Sequence, residues 1–114
     1  MELKRSHVLY DVWADSPQLL ETVPFWQDVL LTAAQTAGTT VLAQQFHQFT
    51  PVGVTGFLLL PESHISLHTW PGERLVTIDV FTCGLLDADS IIVQIRRQVQ
   101  PIREAVTIVE RGKP

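Results

Sequence analysis

The chain has a single cysteine, Cys83, in 114 residues, so no disulfide can form within it. A lone thiol fits a reducing cytoplasm. A basic run is also missing. Eight Lys and Arg stand against twelve Asp and Glu, giving a net charge of -4. Nothing along the chain would track a phosphate backbone, which argues against nucleic acid as a partner. No segment approaches the roughly 20 apolar residues of a membrane span. No signal-type apolar run follows Met1-Glu2-Leu3-Lys4-Arg5, and no repeat, low-complexity tract or linker interrupts the sequence. These absences predict one cytoplasmic domain with neither a membrane nor a nucleic acid for partner. With 46% hydrophobic and 18% charged residues, the chain has the apolar content to fold around a core.

Periodicity supplies the elements. His7 to Trp13 is apolar and β-prone. Ser16-Pro17 pairs an N-cap residue with a proline suited to the first helical position. Pro24 restarts the helix, and Phe25, Trp26, Val29, Leu30, Ala33, Ala34 and Ala37 recur at helical spacing until Gly38 stops it. Thr39 to Phe49 and Val52 to Leu60 read as strands around a Thr50-Pro51 turn. From His64 to Trp70, Ile65 and Leu67 face one way while Ser66, His68 and Trp70 face the other. After a Pro71-Gly72 turn, Leu75 to Cys83 sets Val76, Ile78 and Val80 opposite Asp79, Phe81 and Cys83. Asp87 caps a helix with a stripe of Ile91, Ile92, Ile95 and Val99, which Pro101 ends, and Ala105 to Glu110 is the last strand. The order β-α-β-β-β-β-α-β predicts an α+β two-layer sandwich: an antiparallel sheet covered on one face by two helices. Its other face is then solvated or buried against a second copy, and the many aliphatic residues there favour the copy.

The reactive side chains crowd into Pro61 to Gly84. Singly they say little. His64 and His68 are four residues apart, but in a strand that is roughly 13 Å, no clamp for zinc, and one cysteine adds little more, so no metal is expected. His68 and Cys83 can be neighbours across a hairpin, as a Cys-His hydrolase requires. However, nothing marks Cys83 as a helix-start nucleophile, and no third orienting residue is evident.

As a pattern they are specific. Glu62-Ser63-His64-Ile65-Ser66-Leu67-His68-Thr69-Trp70-Pro71 and Asp79-Val80-Phe81-Thr82-Cys83-Gly84, with Phe46-His47-Gln48-Phe49-Thr50-Pro51-Val52-Gly53-Val54-Thr55-Gly56 upstream, resemble the prokaryotic S-adenosylmethionine decarboxylase proenzymes, the short pyruvoyl-dependent form. Val109-Glu110-Arg111-Gly112 continues the match. The resemblance implies self-cleavage between Glu62 and Ser63 into chains 1–62 and 63–114. Ser63 attacks the preceding carbonyl, and elimination and hydrolysis leave it as a covalent pyruvoyl group, the only cofactor implied. That carbonyl forms a Schiff base with the substrate amine and takes up the electrons left by CO2. By the same resemblance His68 is the base of the elimination, the hydroxyl at Thr55 assists the acyl shift, Cys83 protonates the product carbon, and Phe49 stacks on adenine. No role is implied for His64. The resemblance further implies a homodimer of processed protomers, each site drawing on both.

Two positions depart from the family. Thr55 stands where Ser is usual and keeps the hydroxyl. After Pro71 the family continues Glu-Tyr-Gly-Tyr, with its Glu on the ribose hydroxyls; here the chain reads Gly72-Glu73-Arg74-Leu75. Losing a charged acceptor costs about 1.5–3 kcal/mol, a ligand roughly ten- to hundredfold weaker. Glu73 could substitute only if the turn shifts. S-adenosylmethionine is the expected small-molecule substrate. L-ornithine or L-arginine is the alternative, its distal cation met by Asp11, Asp15 or Glu73; Trp13 is a further candidate substrate-binding residue. An inactive partner subunit is the remaining reading, against which intact Ser63, His68 and Cys83 argue.

Overall fold

Alternation of apolar and polar residues gives the sheet one dry face and one open face. The computed structural model describes residues 5–15 and 21–113. Strands β1 (Arg5–Trp13), β2 (Ala43–Gln48), β3 (Val54–Leu60), β4 (Ser63–Trp70), β5 (Leu75–Cys83) and β6 (Arg103–Glu110) form one antiparallel sheet in the order β2-β3-β4-β5-β1-β6. Helices α1 (Val23–Thr36) and α2 (Ala88–Val99) cover one face of it, the two-layer α+β sandwich that the element order predicts. Val8, Tyr10 and Val12 of β1, Ile65 and Leu67 of β4, and Val76, Ile78 and Val80 of β5 point into that layer. There they meet Trp26, Leu30 and Ala33 of α1 and Ile91 and Ile95 of α2.

Local chemistry sets the ends of the helices. The Asp87 carboxylate accepts from Asp89 N–H at 3.0 Å and so caps α2. Thr22 gives α1 no side-chain cap. Instead Val23 N–H donates to Gln48 Oε1 at 3.0 Å, and Gln48 Nε2 donates to the Glu21 and Gly53 carbonyls. One glutamine at the end of β2 thus satisfies the helix start and pins the loop that carries Phe49. On the other side, Tyr10 Oη donates to Glu104 at 2.7 Å and Arg96 Nε donates to it at 2.8 Å. These bonds tie α2 and β6 to β1. Arg96, and after it Tyr10, hold the Glu104 carboxyl below the usual carboxylate range.

Several boundaries differ from expectation. The strand expected from Thr39 begins only at Ala43, where the pairing with Leu59 starts, because Thr39 N–H turns back to the Ala34 carbonyl of α1 at 3.2 Å. The last strand begins earlier, at Arg103, extended by pairing with Trp13. The turn expected at Pro71-Gly72 forms as a 3₁₀ turn, Pro71–Glu73, and β5 starts at Leu75 as expected. The expected helix start at Ser16-Pro17 lies outside the described residues.

Candidate active site

Register places the reactive residues, and it divides them into two groups. On the open face, Thr55 of β3 is paired with His68 of β4, which is paired with Thr77 of β5, which is paired with Asp11 of β1. Thr55 Oγ1 lies 2.5 Å from His68 Nδ1 and 3.3 Å from the Leu67 carbonyl. With its proton on that carbonyl, the hydroxyl accepts from an imidazole N–H; turned to the ring, it donates. The pair therefore suits proton movement. His47, Thr55, Ser66 and His68 line a shallow cavity of about 270 Å³. Just beyond it Phe49 stands 46% exposed, its ring edge-on to His47 at 4.7 Å. Trp70 Nε1 donates to Thr77 Oγ1 at 3.1 Å. The turn with Gly72 closes this end of the sheet.

Ser63 and Cys83 belong to the opposite end. Ser63 is the first residue of β4, five positions or about 17 Å of strand from His68. The β4–β5 register pairs His64 with Phe81. Carried two steps further, it brings Glu62 beside Cys83. Cys83 is free and half-buried, and it shares the open face with His68 as alternation predicts. The two are not neighbours, however: Thr77 is opposite His68, and Cys83 lies six residues, about 20 Å, beyond Thr77. The hairpin neighbourhood considered for a Cys-His hydrolase is absent, because the strands pair in a different register.

The bond between Glu62 and Ser63 carries two local costs. Pro61-Glu62 is a two-residue turn between the paired Leu60 and Ser63. Glu62 takes φ 58, the left-handed conformation, which costs a side-chain-bearing residue about 1–2 kcal/mol. Ser63 is 4% exposed and has the parity of Ile65 and Leu67, so its hydroxyl points toward the dry face. Among the described residues, Ser63 Oγ and Trp26 Nε1 are the buried side-chain polar atoms with no hydrogen-bond partner. A buried, unpaired hydroxyl costs about 1–3 kcal/mol. It is also a nucleophile with nothing to compete for it. These features suit a serine that has to attack its own preceding carbonyl and become a carbonyl itself.

The profile of the family described as S-adenosylmethionine decarboxylase matches residues 6–112. The chain belongs to that family. It is 37% identical to the S-adenosylmethionine decarboxylase proenzyme of Methanococcus vannielii, over 93% of this chain and 88% of that protein. The proenzyme of the same name from Parasynechococcus marenigrum is 45% identical over 68% of this chain and 61% of its own. The crystal structure of the adenosylmethionine decarboxylase of Aquifex aeolicus VF5 superposes with a TM-score of 0.89 at 32% identity, covering all of this chain and 95% of that one. None of these three relatives is named for ornithine or arginine.

Within this S-adenosylmethionine decarboxylase fold the remaining expected residues are scattered. Asp11 is half-buried in the same row as His68, two strands away. Trp13 is covered by the Arg103 guanidinium, 4.8 Å above its ring. Asp15 is engaged by Arg74 at 3.7 Å. Glu73 is exposed in the turn. Among the described residues no three of His, Cys, Asp and Glu gather to hold a metal ion, and no helix is long and apolar enough to cross a membrane. A further group that no sequence motif signals lies near Cys83. His7 Nε2 and Asp79 Oδ1 are 3.0 Å apart, His7 and His64 both pack on Phe81, and Arg5 is paired with Cys83. Alternation along β1 and β5 already put His7 and Asp79 each on the polar face. Only the register, which a single sequence does not reveal, made them partners.

Proposed function

We propose that this chain is a self-processing, pyruvoyl-dependent S-adenosylmethionine decarboxylase. The observation that carries the reading is Ser63 Oγ, buried and unpartnered, one residue after a strained Glu62. In the first step Oγ bonds to the Glu62 carbonyl carbon and the amide C–N bond breaks, leaving an ester and the Ser63 amine. Removal of the Ser63 α-proton then expels the Glu62 carboxylate. Hydrolysis releases ammonia and leaves a pyruvoyl group at the head of chain 63–114, separate from chain 1–62. That group supplies the electron sink for loss of CO2. Cys83 donates the proton to the carbon that CO2 has left.

His68 is the base of the elimination and Thr55 its hydrogen-bonded companion, yet both stand about 17 Å from the Ser63 of their own chain. A second copy resolves this. A twofold axis lying between two faced sheets, perpendicular to the strands, keeps each strand over its counterpart and exchanges the strand ends. It carries His68 and Thr55 of one protomer over the end of β4 that holds the Glu62-Ser63 bond, and over Cys83, of the other, across the roughly 10 Å that separates packed sheets. Leu9, Phe57, Leu59 and Trp70 are 38–46% exposed on the open face, and such apolar area supports a covered surface. The homodimer then holds two sites, each built from both chains.

Phe49 and the turn at Gly72 lie at the His68 end, where the nucleoside is bound. A Cβ added at Gly72 would meet no atom within 4 Å. Gly72→Glu therefore restores a ribose acceptor without a clash. It is expected to lower the KM for S-adenosylmethionine about tenfold to a hundredfold, read from initial rates of CO2 release. An unchanged KM would remove position 72 from the nucleoside site. The reading as a whole is tested by denaturing mass spectrometry, which should find two chains, and by release of labelled CO2 from S-adenosylmethionine. A single chain without CO2 release overturns it.

A further inference from the structure

Across the β1–β5 ladder from Cys83 lies a cationic pocket, on a chain of net charge -4. Arg5, its partner on β1, lines a cavity of about 520 Å³ together with His7, His64, Phe81, Arg111 and Gly112. That volume is within the range of small-molecule sites. The pocket is held in shape by the meeting of two strand ends. Arg111 N–H donates to the Arg5 carbonyl at 2.8 Å, clipping the end of β6 to the start of β1. Gly112, at φ 76, leaves its backbone bare beneath the Arg5 guanidinium, and a Cβ there would fall 2.6 Å from Arg5 Nη1. Asp79 is the acidic side chain at this place, and it is engaged by His7. Neither guanidinium has a carboxylate partner among the described residues. Two forked cations without a carboxylate partner are suited to a carboxylate ligand.

We propose that Arg5 and Arg111, with His7 fixed beside them by Asp79, seat the substrate carboxylate that leaves as CO2. The inference rests on the decarboxylase reading and extends it to a subsite. The carbon that Cys83 protonates is the carbon that bore this carboxylate, so a group within one side chain of Cys83 is within reach of it. Arg5 is directly across the β1–β5 ladder, a Cα spacing of about 5 Å. The leaving bond gives its electron pair to the electron sink, and the charge that Arg5 and Arg111 held departs as neutral CO2. With the C–C bond only partly broken in the transition state, the seat holds the carboxylate about equally in the ground and transition states, and its contribution appears in KM rather than in kcat.

The test is Arg5→Gln in the full-length, processed protein. Its KM for S-adenosylmethionine should rise about tenfold or more while kcat stays within about twofold of wild type. Arg5→Lys, which keeps the charge but loses the fork, should recover part of the loss. Calorimetric titration gives a readout apart from turnover. S-adenosylhomocysteine, which has the carboxylate, should bind Arg5→Gln correspondingly more weakly, and 5′-methylthioadenosine, which lacks it, should bind equally to both proteins. An unchanged KM, or equal weakening of the two ligands, overturns the seat while leaving the decarboxylase reading intact. A wild-type protein that is cut but releases no CO2 overturns both.

Discussion

Ser63→Ala leaves one uncut chain, seen by mass spectrometry at the full 12.8 kDa, and no CO2 release above background. The oxygen that attacks the Glu62 carbonyl is gone, so the amide bond survives and no pyruvoyl group forms. Without an electron sink the whole rate enhancement goes with it, at least about 10⁶-fold. Stability should move the other way. The hydroxyl is buried and unpaired, and its removal relieves a desolvation cost, so the variant should unfold at a free energy higher by about 1 kcal/mol. A variant that is dead, uncut and slightly more stable is the signature of a serine kept for chemistry. A loss of stability of several kcal/mol would mean that Oγ has a structural partner, and normal cutting would move the processing site elsewhere.

Two dead variants should rescue each other. His68→Ala alone is expected to stay uncut, because its elimination lacks a base. Co-expressed with Ser63→Ala, however, it should be cut. In a mixed dimer the Glu62-Ser63 bond of the His68→Ala chain lies under the intact His68 of its partner, and that one site has every group it needs. The second site in the same dimer lacks both. With random pairing, about half of the His68→Ala chains should appear as two fragments, distinguished by their mass from the Ser63→Ala chain, which stays whole. If each chain served its own site, neither would ever be cut. Absence of fragments in the mixture, with mixed dimers demonstrated by native mass spectrometry, would overturn the shared-site arrangement.

The sequence carried most of the fold because its signals here are local. Alternation in β4 and β5, the Asp87 cap and the stripe of α2 are all set by neighbours within a few residues, and each of these elements formed as expected. The motif around Glu62 and Ser63 also pointed to the family to which the chain belongs. What alternation cannot supply is where along a partner strand a residue will stand. That is why His68 and Cys83, correctly read as sharing a face, were free to seem close when about 20 Å of strand separates them. The side of Ser63 was legible, since it shares the parity of Ile65 and Leu67. Its lack of a partner was not, because that depends on every atom brought near it by the fold. The pocket at Arg5 was hidden for a similar reason: it unites the two ends of the described chain.

The strand order has a consequence for the molecule after the cut. Chain 1–62 would own β1, β2 and β3, and chain 63–114 would own β4, β5 and β6. In the sheet β4 and β5 lie between β3 and β1, and β1 lies between β5 and β6. The fragments are threaded through each other like clasped fingers, so severing the turn does not release either. Yet the topology of unfolding changes. Before the cut, one chain folds on itself; afterwards, two chains must find each other, and recovery from denaturation depends on their concentration. If the cut is made, folding has to come first and happens once as a single chain, and the two-chain protein then depends on the slowness of its own unfolding.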